Sequence, residues 1–554
     1  PLKLKWPKTE ISGLLLAFDK LNNSLIIELE KEPNDYEKQN RFLIIPNVER
    51  LLEALKIRVP LFNSGNFSYK LLSGNIKQTT IPWSTDILAK DLDESQRDAL
   101  LSALNKDITF IWGPPGTGKT YTLSRILLNL LKGNERILVT SVSNIAVDNI
   151  AKHLLKALEL LPDLKLKYLL GGKIMRLGYP ALKEIREQPY LFPDKPYIAN
   201  LLIKLKNIHE KIKNSPEKIE VLAMLRHEEA QAKQEIKNAT RKFILNAKIV
   251  FATAAQCTME DTFFNSDFDT VIMDEAGMIS KPYTLSLALI AKKRILLAGD
   301  FCQLGPIAIS RTKESLQWLH KDAFSFIIGD KNISQMSDSP SALKMLKLQR
   351  RMHYKICEII SNTFYNNELK TATNQNELFS TEFAPQPGQP IVCYNILGQS
   401  ERTPSRSRIN PATADFILRI ISKLLLQKQA FSIGIISPYR AQVYLIKQNI
   451  ECHFKNDKES IKGIKVGTIH AFQGDECNVI IWDITDAQNN GVGRLYQDEI
   501  GDRLINVAIS RAKGKLIVVG DFGVFTKGVG RNNLKKSLQI ITRHLLPKVK
   551  KNDL

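Results

Sequence analysis

At 554 residues the chain is long enough for about three or four domains. Its 44% hydrophobic and 24% charged content is that of an ordinary globular protein. A formal net charge of +21, from 78 basic against 57 acidic side chains, points to a polyanionic partner, with nucleic acid first. Six cysteines are scattered with no C-x-x-C pair, which argues against a disulfide framework, a zinc ribbon or an iron–sulfur cluster and for a reducing compartment. No stretch approaches a membrane span and no signal peptide is seen, so the expected location is cytoplasmic or nuclear.

Residues 1–88 read as mostly β. Apolar runs at 13–18 and 25–30 flank Leu21-Asn22-Asn23-Ser24, a hairpin turn, and 41–46 gives another strand. Residues 48–55 read as a short helix. A small barrel-like accessory domain is the expectation. Asp93-Glu94-Ser95-Gln96 then caps a helix through Leu100 and Leu104. Gln96, with a donor and an acceptor, can read an adenine edge or simply cap the helix.

The strand expected at Ile108–Trp112 runs into Gly113-Pro114-Pro115-Gly116-Thr117-Gly118-Lys119-Thr120, a full match to the phosphate-binding pattern. Three glycines let the backbone close around phosphates with N–H groups inward. A helix follows, with Leu123, Ile126, Leu127, Leu130 and Leu131 on one face and Gly133 at its end. Its positive end adds to the anion site. Lys119 can reach the β- and γ-phosphates of ATP, and the Thr120 hydroxyl can ligate magnesium. After a strand at 137–140 comes Ser141-Val142-Ser143-Asn144, at a strand end where open α/β sheets place ligand contacts. Ser143 and Asn144 can bond phosphates there or cap the next helix.

Residues 181–245 change character. Leu201, Leu202, Leu205, Ile208 and Ile212 keep helical spacing, Asn214-Ser215-Pro216 breaks it, and a second helix runs to about Asn246. This reads as a lysine-rich helical hairpin inserted into the first α/β domain. Strands resume at 249–253 and 268–273. The second ends in Asp274-Glu275-Ala276-Gly277, a carboxylate pair downstream of a phosphate loop. Asp274 is expected to hold magnesium through water, and Glu275 to orient and deprotonate the attacking water. A strand at 294–298 leads to Gly299-Asp300-Phe301-Cys302-Gln303, with Gln303 facing the same cleft.

The second half has strands at 433–436, 464–466, 479–482 and 516–519 but no second phosphate loop. Two α/β domains with one loop suggest a single ATP site at their interface. The second domain would then supply arginines in trans, with Arg351 in Gln349-Arg350-Arg351-Met352-His353 and Arg511 in Asn506-Val507-Ala508-Ile509-Ser510-Arg511 as candidates.

Together, the segments 113–120, 274–277, 299–306, 349–353, 466–476 and 506–513 resemble superfamily 1 helicases. Ser143-Asn144-Ile145-Ala146-Val147-Asp148 and His470-Ala471-Phe472-Gln473-Gly474 are similar to the branch that holds the nonsense-mediated-decay helicase. The resemblance covers about residues 90–520. It implies two RecA-like P-loop domains, here 89–180 with 246–345, and 346–554. It also implies an accessory domain at 1–88, an insertion at 181–245, ATP between the RecA-like domains, and 5′-to-3′ movement on single-stranded DNA or RNA by a monomeric motor. By the same resemblance Gln96 reads adenine, Glu476 holds the ribose, and Gln303, Arg351 and Arg511 contact the γ-phosphate. Gly113, Pro114, Gly116, Thr117, Gly118, Lys119 and Thr120 cradle the phosphates. Ser143, Asn144, Thr253, Ser437, Pro438, Thr468 and His470 lie near the nucleic acid. Two positions depart from the family: Arg350 stands where a tyrosine commonly stacks on adenine, and Val142 replaces a proline. An ATP-gated strand clamp is the rival reading. A P-loop kinase or GTPase would leave the second α/β half unexplained.

Overall fold

The computed structural model describes the backbone course of residues 2–5, 10–19, 24–29 and 43–46. It also describes residues 48–550 apart from 64, 75, 214–218, 330–340, 373–383, 428–430, 528–539 and 546–548. Two parallel sheets dominate it. The first has seven strands in the order Leu343–Met345, Ile108–Trp112, Ala291–Gly299, Phe268–Met273, Ile137–Ser141, Ile249–Thr253, Ile174–Arg176. Every neighbouring pair is parallel. The second has six parallel strands in the order Ile464–Thr468, Ile433–Ser437, Cys477–Asp483, Ala512–Gly520, Ile391–Asn395, Val549–Lys550. Strands such as Ile108–Trp112 and Ile433–Ser437 are buried along their whole length, as helices on both faces require.

The expected strands of both halves are present. Ile174–Arg176, Leu343–Met345 and Val549–Lys550 are additional; each is two or three residues long at a sheet edge, too short for an alternation to register. The five-residue Ile391–Asn395, which lies inside the second sheet, is additional too. One apolar cluster joins Phe110 and Phe324 of the first lobe to Tyr365, Trp482 and Phe525 of the second, so the lobes share part of a core. The hairpin expected in the insertion is formed by Lys195–Lys213 and Ile219–Asn246, packed through Leu205, Ile208, Leu225 and Ala232.

The N-terminal strands form an antiparallel sheet in the order Ser24–Leu29, Glu10–Asp19, Leu2–Lys5, Leu43–Pro46. Its two outer strands are not paired with each other, so among the described residues this is an open sheet and not the expected barrel. The helices after it lean on the first lobe. Ser68 donates to the Leu285 carbonyl at 2.6 Å, and Arg58 pairs with Asp261 while lying over the Phe264 ring.

Candidate functional site

The helix Lys119–Lys132 starts at once after the loop because Gly118 takes a left-handed conformation, φ +77, as does Gly116, φ +76. Neither position admits a side chain. A β-carbon on Gly118 would lie 2.8 Å from the Gln96 Nε2, and one on Gly116 would lie 2.5 Å from the Arg351 β-carbon. The second close approach matters most, because Arg351 belongs to the second lobe. The backbone N–H of Arg350 also donates to the Gly116 carbonyl at 2.8 Å. The second lobe therefore touches the loop directly.

Lys119 reaches across to the carboxylate pair. Its Nζ donates to Asp274 Oδ1 at 2.7 Å and to Glu275 Oε1 at 2.6 Å. Burial alone would depress the Lys119 pKa, but the two carboxylates more than offset it and hold the ammonium above the usual lysine range. Burial pushes the Asp274 carboxyl up, with Lys119 opposing. Burial acts the same way on Glu275, but Lys119, Arg511 and Arg351 together hold it below the usual range. Glu275 sits at φ +52, a left-handed conformation that a side chain adopts at a cost, where the strand Phe268–Met273 turns away from the sheet.

The second lobe supplies two guanidinium groups. Arg511 is buried and donates to Gln303 Oε1 at 3.1 Å, with backbone carbonyls taking its other N–H groups. Burial, and then the charge of Arg351, push its pKa down to about 9. It stays charged at neutral pH and has no carboxylate of its own to pair with among its hydrogen bonds. Arg351 donates to Glu476 Oε2 at 2.7 Å, and Lys513 holds the other oxygen of Glu476 at 2.6 Å. Arg350 pairs with Asp93 at 3.0 Å. Gln96 is almost fully buried; its Nε2 donates to the Thr117 carbonyl at 3.0 Å and its Oε1 accepts from the Asp93 backbone. The Thr117 hydroxyl closes the loop onto the Pro114 carbonyl at 2.8 Å. Gly113 packs against Lys119, where a β-carbon would lie 2.9 Å from the lysine's own, Thr120 stands in the first turn of the helix, and Gln303 bonds both Asp300 and Arg511.

This donor set fits a nucleotide triphosphate. Glycines that a β-carbon would clash with line the loop, and the buried Arg511 guanidinium, with no carboxylate among its hydrogen bonds, acts on the charge of Glu275. Thr120 and Asp274 suit magnesium, which takes few protein ligands and keeps its waters. Among the described residues no group of three or more His, Cys, Asp or Glu forms a metal cage.

The candidate strand-contacting residues fall in two sets. Ser143, Asn144 and Thr253 follow adjacent strands of the first lobe; Ser143 caps its helix and is exposed with Asn144, while Thr253 is largely buried as a cap bonded to Gln256. Ser437, Pro438, Thr468 and His470 follow adjacent strands of the second. Ser437 is fully buried on Thr485 and Pro438 is buried too, while His470 is exposed and lies beside Arg440, with burial lowering its pKa.

One further network joins Gln303 to residues to which the motifs assign no role. Asp300 accepts from the Trp112 indole at 3.0 Å, from Gln303 at 2.8 Å and from the Tyr365 hydroxyl at 2.7 Å. Asn506 donates to that hydroxyl and to the Cys302 carbonyl, both at 2.8 Å. Tyr365 and Asn506 come from the second lobe, so this buried cluster ties the lobes together one residue pair behind Gln303 and Arg511. The aromatic and amide at these spacings carry no local pattern; only their adjacency in space reveals them.

Comparison with known sequences adds to this geometry. Residues 91–190 and 195–311 match one family described as an AAA domain, and residues 331–522 match a second family of the same description. The ATP-dependent helicase upf1 of Schizosaccharomyces pombe is 28% identical over 461 residues, 79% of this chain and 45% of that protein. The DNA polymerase alpha-associated DNA helicase A of Saccharomyces cerevisiae is 29% identical over 482 residues, 79% of this chain and 66% of that protein. A solved complex of the arterivirus nonstructural protein 10 helicase with DNA aligns over 93% of this chain and 72% of its own, at 12% identity and a TM-score of 0.37, too loose a likeness to bear weight. The chain spans less than half the length of the first of these relatives.

Proposed function

We propose that the chain is a superfamily 1 helicase of the branch that holds the nonsense-mediated-decay helicases, an ATP-driven translocase that unwinds nucleic acid; the AAA-domain matches and the helicase relatives support this reading. One observation carries the reading: from the second lobe, Arg351 lies against Gly116 of the loop, Arg511 bonds Gln303, and the charges of both act on Glu275 of the first.

The chemistry follows from these groups. Lys119 leaves its two carboxylates to hold phosphate oxygens, so binding frees Glu275 to act as base toward a water. Thr120 and Asp274 hold magnesium, which when bound neutralises phosphate charge. Arg351 and Arg511 stabilise charge on the terminal phosphate, and Gln303 senses it beside Arg511. Gln96 and Arg350, both bonded to the loop backbone, border the base, and Glu476 takes the ribose in exchange for Arg351. Arginine contacts made across two lobes exist only while the cleft is shut, so loss of the terminal phosphate releases it. The strand contacts of the two lobes then shift relative to one another. The exposed Ser143 and Asn144 hold the strand on one lobe and His470, with Thr468, on the other, while the buried Thr253, Ser437 and Pro438 support these positions from the strand ends. Contacts of this kind are sequence-blind, as a motor needs.

Single-stranded DNA or RNA is the proposed track, 5′-to-3′ the proposed direction, and a monomer the proposed motor. The proposed division is an accessory unit at 1–88, a first RecA-like domain at 89–180 and 246–345, an insertion at 181–245, and a second RecA-like domain at 346–554. Five of the six cysteines are buried and none is in a disulfide, in keeping with the proposed reducing, cytoplasmic or nuclear setting. Among the described residues no helix is long and apolar enough to cross a membrane. ATPase and unwinding assays on matched DNA and RNA duplexes with a 5′ or a 3′ tail test the reading. Strand-stimulated hydrolysis with unwinding only from 5′ tails is expected. Binding without unwinding on any substrate would replace the motor with a clamp.

A further inference from the structure

The three strands Ile137–Ser141, Ile249–Thr253 and Ile174–Arg176 lie side by side and parallel, so their C-terminal ends form one crest of the first lobe. Ser143 and Asn144 follow the first and Thr253 the second. The third leads into Leu177-Gly178-Tyr179-Pro180, to which the sequence reading assigned no role.

That segment is strapped to the other two. Arg176, fully buried, donates to Asp148 Oδ1 and to Asn144 Oδ1, both at 2.8 Å, and the Leu182 N–H donates to the other oxygen of Asp148 at 3.0 Å. Asn144 and Asp148 lie on the helix Asn144–Leu158, so the loop is tied to its first turns. On the other side the Leu177 N–H donates to the Phe251 carbonyl at 2.9 Å. Gly178 sits at φ +87, with no room for a β-carbon, which would fall 1.8 Å from the Nε2 of Gln256, the residue that caps with Thr253. Pinned at both ends, the loop projects the Tyr179 side chain, 53% exposed, with the Arg186 guanidinium 5.4 Å from its ring centroid. Arg186 is itself anchored to the Pro180 carbonyl at 3.3 Å. Apolar Val142 and Ile145 are exposed beside Ser143 and Asn144 on the same crest.

A rigid, exposed aromatic ring with a guanidinium beside it, on a face of hydroxyl and amide groups, has the chemistry of a base-stacking platform. We propose that Tyr179 stacks on an unpaired nucleobase of the bound single strand, with Arg186 at the adjoining phosphate. This rests on the helicase reading above and extends it from backbone grip to base contact. Stacking is blind to base identity, so the contact is compatible with movement along any sequence.

The test uses the full chain with oligothymidylate and oligouridylate, followed by fluorescence anisotropy over a salt series and by photocrosslinking of 5-iodouracil-substituted strands. The Tyr179→Ala and Tyr179→Leu variants are expected to weaken binding about tenfold, with the salt slope kept, whereas Tyr179→Phe stays within about twofold. Arg186→Ala is expected to flatten the salt slope by roughly the 0.7 due to one single-strand phosphate. Crosslinks are expected on the Tyr179 peptide. Wild-type affinity in Tyr179→Ala, or equal loss in Tyr179→Phe, would overturn the stacking contact while leaving the helicase reading in place. A wild-type chain that binds neither strand would overturn both.

Discussion

The two α/β lobes are built alike and equipped differently. In the first, the strand Ile108–Trp112 opens into glycines, and the helix behind it presents Lys119. In the second, the strand Ile433–Ser437 runs straight through Pro438 and Tyr439 into the helix Arg440–His453. The ground beyond that strand is occupied by side chains: the Tyr439 hydroxyl donates to Asp486 at 2.9 Å, Asp486 also pairs with Arg408, and the Ser437 hydroxyl is spent on Thr485. A buried carboxylate there excludes an anion. The sheet supplies a strand end, but the loop chemistry makes the phosphate site. The second lobe's contribution is instead the pair Arg351 and Arg511, carried to the first lobe's loop.

If that division of labour holds, Arg511→Ala is the largest blow. Steady-state ATPase assays should show kcat lowered by about 10³- to 10⁵-fold, the scale of an arginine supplied across an interface, with ATP still bound. A variant that hydrolyses ATP at the wild-type rate would make the second lobe a passenger. Glu275→Gln strikes the first lobe's own chemistry, and a fall of about 10²- to 10⁴-fold in kcat is expected in the same assay, with nucleotide affinity kept or raised because Lys119 loses one of its two carboxylates.

Tyr365→Phe tests the tie between lobes. It removes one hydroxyl shared by Asp300 and Asn506, leaving buried polar groups short of a partner at a cost of about 2 kcal/mol in urea unfolding. Strand stimulation of the ATPase should drop more than the unstimulated rate; equal loss in both would mean the cluster only holds the fold.

The smallest effect concerns Asp322 of the first lobe, 3.6 Å from Arg503 of the second. Burial raises its carboxyl to about 6, against the partial relief given by Arg503. A raised folded-state pKa means the protonated group favours folding. That contribution is fully present below the unfolded value near 4 and is lost as pH rises through about 6. Asp322→Asn should therefore lose less melting temperature than the wild type between pH 4 and pH 7, by the equivalent of at most about 2 kcal/mol. Parallel pH profiles of the two proteins would show that Asp322 carries no such burden.

Much of the site could be read from the chain alone because it is written in contiguous residues. The 113–120 loop needs glycines at fixed places to reach left-handed backbone, and the 274–275 carboxylates end an apolar strand that its composition announces. Gln96 was visible as a helix cap, and it is one: the structure adds that its amide holds the loop at Thr117. Three of the four N-terminal strands are legible too, but not Leu2–Lys5 nor how the sheet ends, since closure depends on which edges meet rather than on the alternation within any strand.

Sequence by itself determined the local pattern: a glycine loop, a lysine after it, a carboxylate pair at a strand end, and two arginine-bearing segments. It did so because each of these imposes a conformation or a residue type within a handful of neighbours. Only the tertiary structure decided which distant groups meet. Asp300 with Tyr365 and Asn506, Arg351 against Gly116, and Arg176 on Asn144 and Asp148 are all set by sheet order and lobe contact. Those are long-range choices fixed by the burial of whole faces, which leave no periodicity in the chain between them.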